Sequence, residues 1–261
     1  MKNHKKLVLI LLAICAAAAI AVALTPFSRQ EQNDKSKSPD KEKQRLEFES
    51  QFPIAEYSGS TSNSKEITPE KAAKRNARAK RLWKRSLTLH ENAGITFDTS
   101  SIVARLPAIP VNQSNTIIIG EILDATAFVS DQTQNVYSEF TVRVNEILKN
   151  DDRSSIASGS LLEAGRSGGR VRFPSGTVTL VFTAGEGMPR VGHRYILFLT
   201  RSDQEDFDIL TGYELREGHV WLLDNPNGGD HPMADYQGKD EVIFLNEVRT
   251  LIEKSAQNIS Q

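Results

Sequence analysis

The chain has 261 residues, 39% hydrophobic and 25% charged, with 16 glycines, 10 prolines and one cysteine. Collagen-like, disulfide-scaffold and wholly disordered classes are excluded by those proportions. The net charge of −1 hides a division, because residues 1–92 carry 18 basic and 10 acidic side chains whereas residues 93–261 carry 14 and 23.

Lys2, Lys5 and Lys6 precede an uncharged apolar run from Leu7 to Leu24. As a helix this run rises about 27 Å, close to the hydrocarbon thickness of a bilayer. Residues 1–24 are therefore expected to be a signal anchor or a signal peptide. The three lysines keep the amino terminus cytoplasmic and send the remainder outside, which makes a single-pass inner-membrane protein with an external C-terminal domain. Ala21-Val22-Ala23 also fits a small-x-small cleavage site, and the alternative is a periplasmic or secreted chain released near Ala23. Cys15 follows Ile14 rather than a small residue, which argues against lipidation, and no cysteine follows it. The folded part must be held by packing alone.

Residues 25–65 are polar and of mixed charge, ending in Ser58-Gly59-Ser60-Thr61-Ser62-Asn63-Ser64, and predict a flexible linker with a reach of about 35 Å. Within it Leu46, Phe48, Phe52 and Ile54 form a short apolar patch suited to local docking. Thr68-Pro69-Glu70 supplies an N-cap, a proline at the first helical position and an early acid, so residues 66–94 read as a helix ended by Gly94. Steps of 100° place Lys71, Lys74, Arg75, Arg78, Arg81 and Arg85 on one face, with Ala72, Ala79, Trp83 and Leu87 on another. This basic amphipathic helix suits anionic lipid (through residues 69–92), a polyanionic envelope polymer or an acidic protein face, including the chain's own acidic domain; equally, it would serve as a solvated spacer.

After a connector over residues 95–114, the period changes to two. Phe140, Val142 and Val144 alternate with Glu139, Thr141, Arg143 and Asn145, and shorter strands are expected at 160–164, 169–173, 177–182, 194–200, 207–213 and 219–223. With no long helix between them, an antiparallel barrel or sandwich over residues 115–238 is favoured over a parallel α/β sheet. Val242, Leu245, Val248 and Ile252 then mark a packing helix over residues 239–256, before a tail at 257–261.

Gly120-Glu121-Ile122, Tyr137 to Val144, Gly168-Gly169-Arg170, Gly187-Met188-Pro189, Gly192 to Leu199 and Thr211 to Leu215 are similar to a family of uncharacterised exported bacterial β-domains. The similarity covers roughly residues 115–224. More loosely, the order resembles the OB-like barrels of netrin and metalloproteinase-inhibitor modules, which use cysteines that are lacking here. The resemblance implies a mainly β fold, a small antiparallel OB-like β-barrel with a C-terminal helix, preceded by the basic helix and the N-terminal membrane helix. It implies no catalytic residue and no cofactor.

Arg166, Arg170, Arg172 and Arg190, near glycines, offer guanidinium groups that pair bidentately with carboxylate or phosphate. Asp203, Glu205, Asp206 and Asp208 lack the glycine and terminal glutamate of an EF-hand, and His193, His219 and His231 lack zinc-site spacing, so no metal is expected. Asp230-His231 could present a base in the loop 225–232, with Ser138 or Ser175 as a distant nucleophile, although no Gly-x-Ser-x-Gly elbow is present. Nucleic acid is a poor ligand for a net-acidic exported domain. The sequence thus predicts a tethered extracytoplasmic barrel module that binds an envelope protein or polymer through the loops 185–190 and 225–232. The alternative is an envelope hydrolase built around Asp230 and His231.

Overall fold

Alternating burial along residues 116–222 builds eight of the ten strands, and a computed structural model shows how the strands join. It describes residues 39–57, 68–83, 89–91, 93–98, 101–130, 135–151, 156–202, 206–226 and 230–259. The apolar run at residues 7–24 and its predicted membrane helix lie outside the described residues. Among the described residues no helix is long and apolar enough to cross a membrane.

Helix α1 spans Pro39–Ser50, strand β1 Ile54–Glu56, helix α2 Pro69–Leu82 and strand β2 Ile95–Asp98. The long strands β3 (Thr116–Val129) and β4 (Val136–Lys149) follow, then β5 (Leu161–Ser167), β6 (Gly169–Arg172), β7 (Val178–Thr183), β8 (Arg194–Arg201), β9 (Phe207–Arg216) and β10 (His219–Leu222). Helix α3, Glu241–Ile259, closes the chain. Its first turn is capped by Asp240, whose Oδ1 accepts from the Ile243 backbone N–H at 3.0 Å.

Strands β3, β4, β5, β9 and β8 are hydrogen-bonded in that order, and β8 returns to β3, so the five form a closed ring. Every junction in the ring is antiparallel except β5 to β9, a parallel seam of only two residue pairs, Ala164 with Phe207 and Gly165 with Asp208. Three register shifts along β3 and β4 coil these 14-residue strands around the ring. Strand β10 extends along β9, while β1, β6, β7 and β2 make a second, four-stranded sheet.

Period two sorts the side chains into layers. Ile122, Phe140, Val142, Leu162, Leu197 and Ile209 fill the inside of the ring. On its outer side Ile117, Ile196, Phe198, Tyr213 and Val220 pack beneath Phe244, Leu245 and Val248 of α3. Trp83, at the end of α2, joins Val136, Val171 and Val181 in a third cluster, and its indole N–H donates to the Val136 carbonyl at 2.6 Å.

The region expected to be a linker contains ordered structure. Pro39 opens α1, and Phe48 and Phe52 pack with Phe182 and Phe97 in an aromatic cluster, with Phe52 buried in the core. Their shared ring partner, Phe182, lies on β7 far along the sequence, and Phe97, which stacks on Phe182, belongs to β2, a strand hidden in the expected connector. Helix α2 has fewer residues than expected, and residues 84–88 lie outside the described set.

Helix α2 lies across the parallel seam. Arg78, 1% exposed, donates from Nη1 to Glu139 of β4 at 2.5 Å and to Glu163 of β5 at 2.8 Å, and its Nη2 lies 3.2 Å from Asp206 at the foot of β9. Arg81 grips Asp208 of β9 with two parallel bonds of 2.5 and 2.9 Å. Gly165 leaves the space for this, since a Cβ there would meet Arg78 Cδ at 3.0 Å and Asp208 Oδ1 at 3.2 Å. Removing one member of a buried charge set strands the others without compensation. Arg78→Met is expected to lower unfolding free energy by about 3–5 kcal/mol, whereas Glu163→Gln, whose side chain is 56% exposed, is expected to cost less than about 1 kcal/mol. Urea denaturation of the two variants against the parent chain measures both.

Candidate functional site

A two-residue turn fixes the site's geometry. Glu217 and Gly218, with φ of 55° and 75°, join β9 to β10 as a tight hairpin, so Arg216 faces His219 and Glu214 faces Trp221. On the other side of β9, Glu214 faces Tyr195 of β8. Tyr195, Glu214 and Trp221 therefore form one row across three strands, and Arg216, two residues on from Glu214, falls on the same face.

Glu214 is buried and meets two guanidinium groups and an imidazole. Its Oε2 accepts from Arg190 Nη2 at 2.5 Å, its Oε1 accepts from His193 Nδ1 at 2.9 Å, and Arg216 Nη1 lies 3.5 Å from Oε1. Burial alone would raise its pKa, but the hydrogen bonds and charges of His193 and Arg190 outweigh burial and hold the carboxyl below its ordinary value. Tyr195 Oη accepts from the Arg190 backbone N–H at 3.0 Å, and the Arg216 guanidinium lies 4.8 Å over the Trp221 ring.

Two cavities share Gln51 and Arg190 in their walls. One, of about 210 Å³, is bounded by Arg190, Glu214, Arg216, Trp221 and Gln237. The other, of about 480 Å³, is bounded by Arg170, Arg190, His193, Val191 and the Phe52–Ile54 segment. Two arginines and a histidine thus meet the lining carboxylate of Glu214, and a third arginine, Arg170, lines the adjoining cavity.

Below it, Arg166 ties the walls to the ring. The guanidinium is 1% exposed and ion-paired with Asp224, whose Oδ1 also accepts from the Gly187 N–H at 2.8 Å and whose Oδ2 accepts from Thr211 at 2.6 Å. The segments 185–190 and 223–226 are thereby fastened together, with the Asn225 N–H donating to the Gly185 carbonyl at 2.9 Å. Gly187 is required by the close approach: a Cβ there would stand 1.9 Å from the Leu223 carbonyl oxygen. Arg166 Nε and Nη1 have no hydrogen-bond partner and border a separate cavity of about 60 Å³, with Glu186 and Trp83 in its wall.

The arginines named from sequence are thus divided. Arg170 and Arg190 meet in the cleft, Arg166 is internal, and Arg172 pairs with Glu56 at 2.9 Å on the outer sheet. Asp230 is exposed, and His231 Nδ1 accepts from the Met233 N–H at 3.3 Å as the cap of a short 3-10 helix, Pro232–Tyr236. Ser138 donates to the Gly168 carbonyl and Ser175 to Thr177, and neither is bonded to His231. Among the described residues no cluster of three metal-ligating side chains is present.

The basic helix turns its charges toward its own domain. Lys74 lies 2.7 Å from Asp206, Arg75 stacks 3.7 Å over Phe128, and Arg78 and Arg81 make the contacts given above. Lys71 is on the helix with its side chain outside the description, and Arg85 lies outside the described residues. Asp203 and Glu205 of the acidic turn are likewise outside.

Glu214, Arg216, Trp221, Gln51 and Gln237 were not singled out by sequence. The available signal was Arg216-Glu217-Gly218-His219, a two-residue hairpin motif that fixes the register of both strands once β9 is extended to Arg216. No family model matches the chain, and no curated protein matches it.

Glu186 provides a pH test of the internal network. Burial, reinforced by Asp224 and only partly offset by Arg166, Ser101 and Ser167, raises its pKa above the ordinary 4.5. A raised carboxyl pKa favours the folded state while the group is protonated, and this contribution is lost as pH climbs from the unfolded value through the folded one. Glu186→Gln is therefore expected to be progressively more stable than the parent as pH rises above 4.5, as read from thermal unfolding at a series of pH values.

Proposed function

We propose that this chain is an extracytoplasmic, membrane-tethered binding module, a small OB-like β-barrel whose cleft around Arg190 receives an anionic group of a cell-envelope protein or polymer. The ring order, with one parallel junction between its third and fifth strands, supports the OB-like description. The tether rests on the lysines and apolar run of residues 2–24.

The observation that carries the function is the excess of cation in an open cleft of an otherwise acidic domain. Arg190, His193 and Arg216 surround one lining carboxylate, which is held ionised by its neighbours, and Arg170 lines the adjoining cavity with its Nε donating to the Phe52 carbonyl. Guanidinium groups held by packing lose little freedom when they meet a carboxylate or phosphate. Helix α2 is a weaker candidate surface, because Lys74, Arg78 and Arg81 are engaged by Asp206, Glu139, Glu163 and Asp208. The cap role of His231 gives the hydrolase alternative no support.

A photocrosslinker at Val191, which is 53% exposed in the cleft wall, tests the reading in intact cells. The expected result is one dominant high-mass adduct that disappears when Arg170 and Arg190 are both replaced by Gln. An adduct of undiminished intensity in the double variant, with the protein folded and at normal abundance, would refute it.

A further inference from the structure

The smaller half of the cleft has a chemistry of its own. Its polar walls include one indole, two primary amides, two guanidinium groups and the carboxylate they share: Trp221, Gln51, Gln237, Arg190, Arg216 and Glu214. Gln237 is oriented by the backbone, since its Oε1 accepts from the Leu222 N–H at 3.0 Å, and its amide N–H groups remain for a ligand. Trp221 Nε1 is buried without a hydrogen-bond partner, a donor left for an incoming oxygen. Arg216, stacked on the indole, and Arg190 both reach the Glu214 carboxylate, at 3.5 and 2.5 Å.

From these groups we infer that the pocket binds an acidic saccharide, a pyranose carrying a carboxylate, in which the arginines take the carboxylate and the indole N–H and the amides take the ring hydroxyls. This rests on the cleft being the binding site and narrows its ligand from an anionic group to a class of polymer. Planar polar side chains distinguish it from a site for charge alone. Hydroxyls both donate and accept, and the amides and the indole add hydrogen bonds that a purely electrostatic site would not need. The pocket of about 210 Å³ admits a sugar residue or two, while the continuation past Gln51 and Arg190 into the larger cavity provides a path for a chain. An acidic polypeptide would satisfy the arginines but would leave the indole and amide donors with fewer matched partners.

The test uses the full-length chain in detergent, titrated with three probes and followed by indole fluorescence: trigalacturonate, its neutral counterpart galactotriose, and hexaglutamate. Trigalacturonate is expected to bind saturably and at least tenfold more tightly than either of the others. Its spectral response is expected to vanish in Trp221→Phe, with affinity reduced by about tenfold. Should that variant unfold, Gln237→Glu keeps an acceptor for the Leu222 N–H, removes the amide donors and adds a negative charge to the wall, and is expected to weaken trigalacturonate by a larger factor than galactotriose. Equal affinity for hexaglutamate would overturn the saccharide assignment while leaving an anion-binding cleft intact. Failure of all three probes, with the Val191 adduct still dependent on Arg170 and Arg190, would also overturn the assignment alone. Failure of both experiments would remove the cleft itself.

Discussion

A single guanidinium closes the ring. Arg78 reaches strands β4, β5 and β9 at once, through Glu139, Glu163 and Asp206, at the place where β5 and β9 share only two residue pairs. Two pairs of main-chain partners are a weak junction for a sheet that must have no open edge. The helix supplies from outside what the ladder lacks, and Gly165 leaves the room for it. The separation of charge along the sequence, basic before residue 93 and acidic after it, thereby becomes a contact within the fold.

With the seam closed at the start of β9, the other end of that strand can hold a cleft. Strands β8, β9 and β10 set Tyr195, Glu214 and Trp221 in register, and the loops around Gly187 and Leu223 fold over the row. Arg166 and Asp224, inside the ring, fix those loops to β5, so the internal ion pair positions the cleft without lining it. Buried ion pairs of this kind contribute more to a unique arrangement than to net stability. Two arginines that look equivalent in sequence, Arg166 and Arg190, thus serve different ends: one holds the frame and the other faces the opening.

Much of the β domain was legible because alternation is a local signal. The strands at 169–172, 194–201 and 219–222 lie within a residue or two of their expected ends, and α3 follows the spacing of Val242, Leu245 and Val248. Ring order was not legible, since it depends on which distant edges meet. The same reason hid β1 and β2, three and four residues long, which exist only because β6 and β7 receive them. The charge of α2 could be read, and so could its fit to the chain's own acidic domain as one option, but the burial of Arg78 depends on a glycine 87 positions away. Site residues were harder still. Trp221 and Gln237 are ordinary in sequence and become a pair of donors only when the hairpin and the turn after the 3-10 helix bring them to one wall.

The brevity of the seam also sets an order of assembly. Arg78 and Glu163 are 85 residues apart and Arg81 and Asp208 are 127 apart, so the clasp joins a helix outside the ring to strands far along the chain. Closing such long loops costs entropy before the contacts compensate for it. The β3–β4 hairpin pairs segments close in sequence, whereas the union of β5 with β9 under α2 depends on contacts distant in sequence. In a chain synthesised amino end first, the helix has its cations uncovered until β9 arrives. The unclosed edges of β5 and β9 are the exposed surfaces of that interval, and the speed with which α2 covers them governs whether the emerging chain folds or pairs with a neighbour.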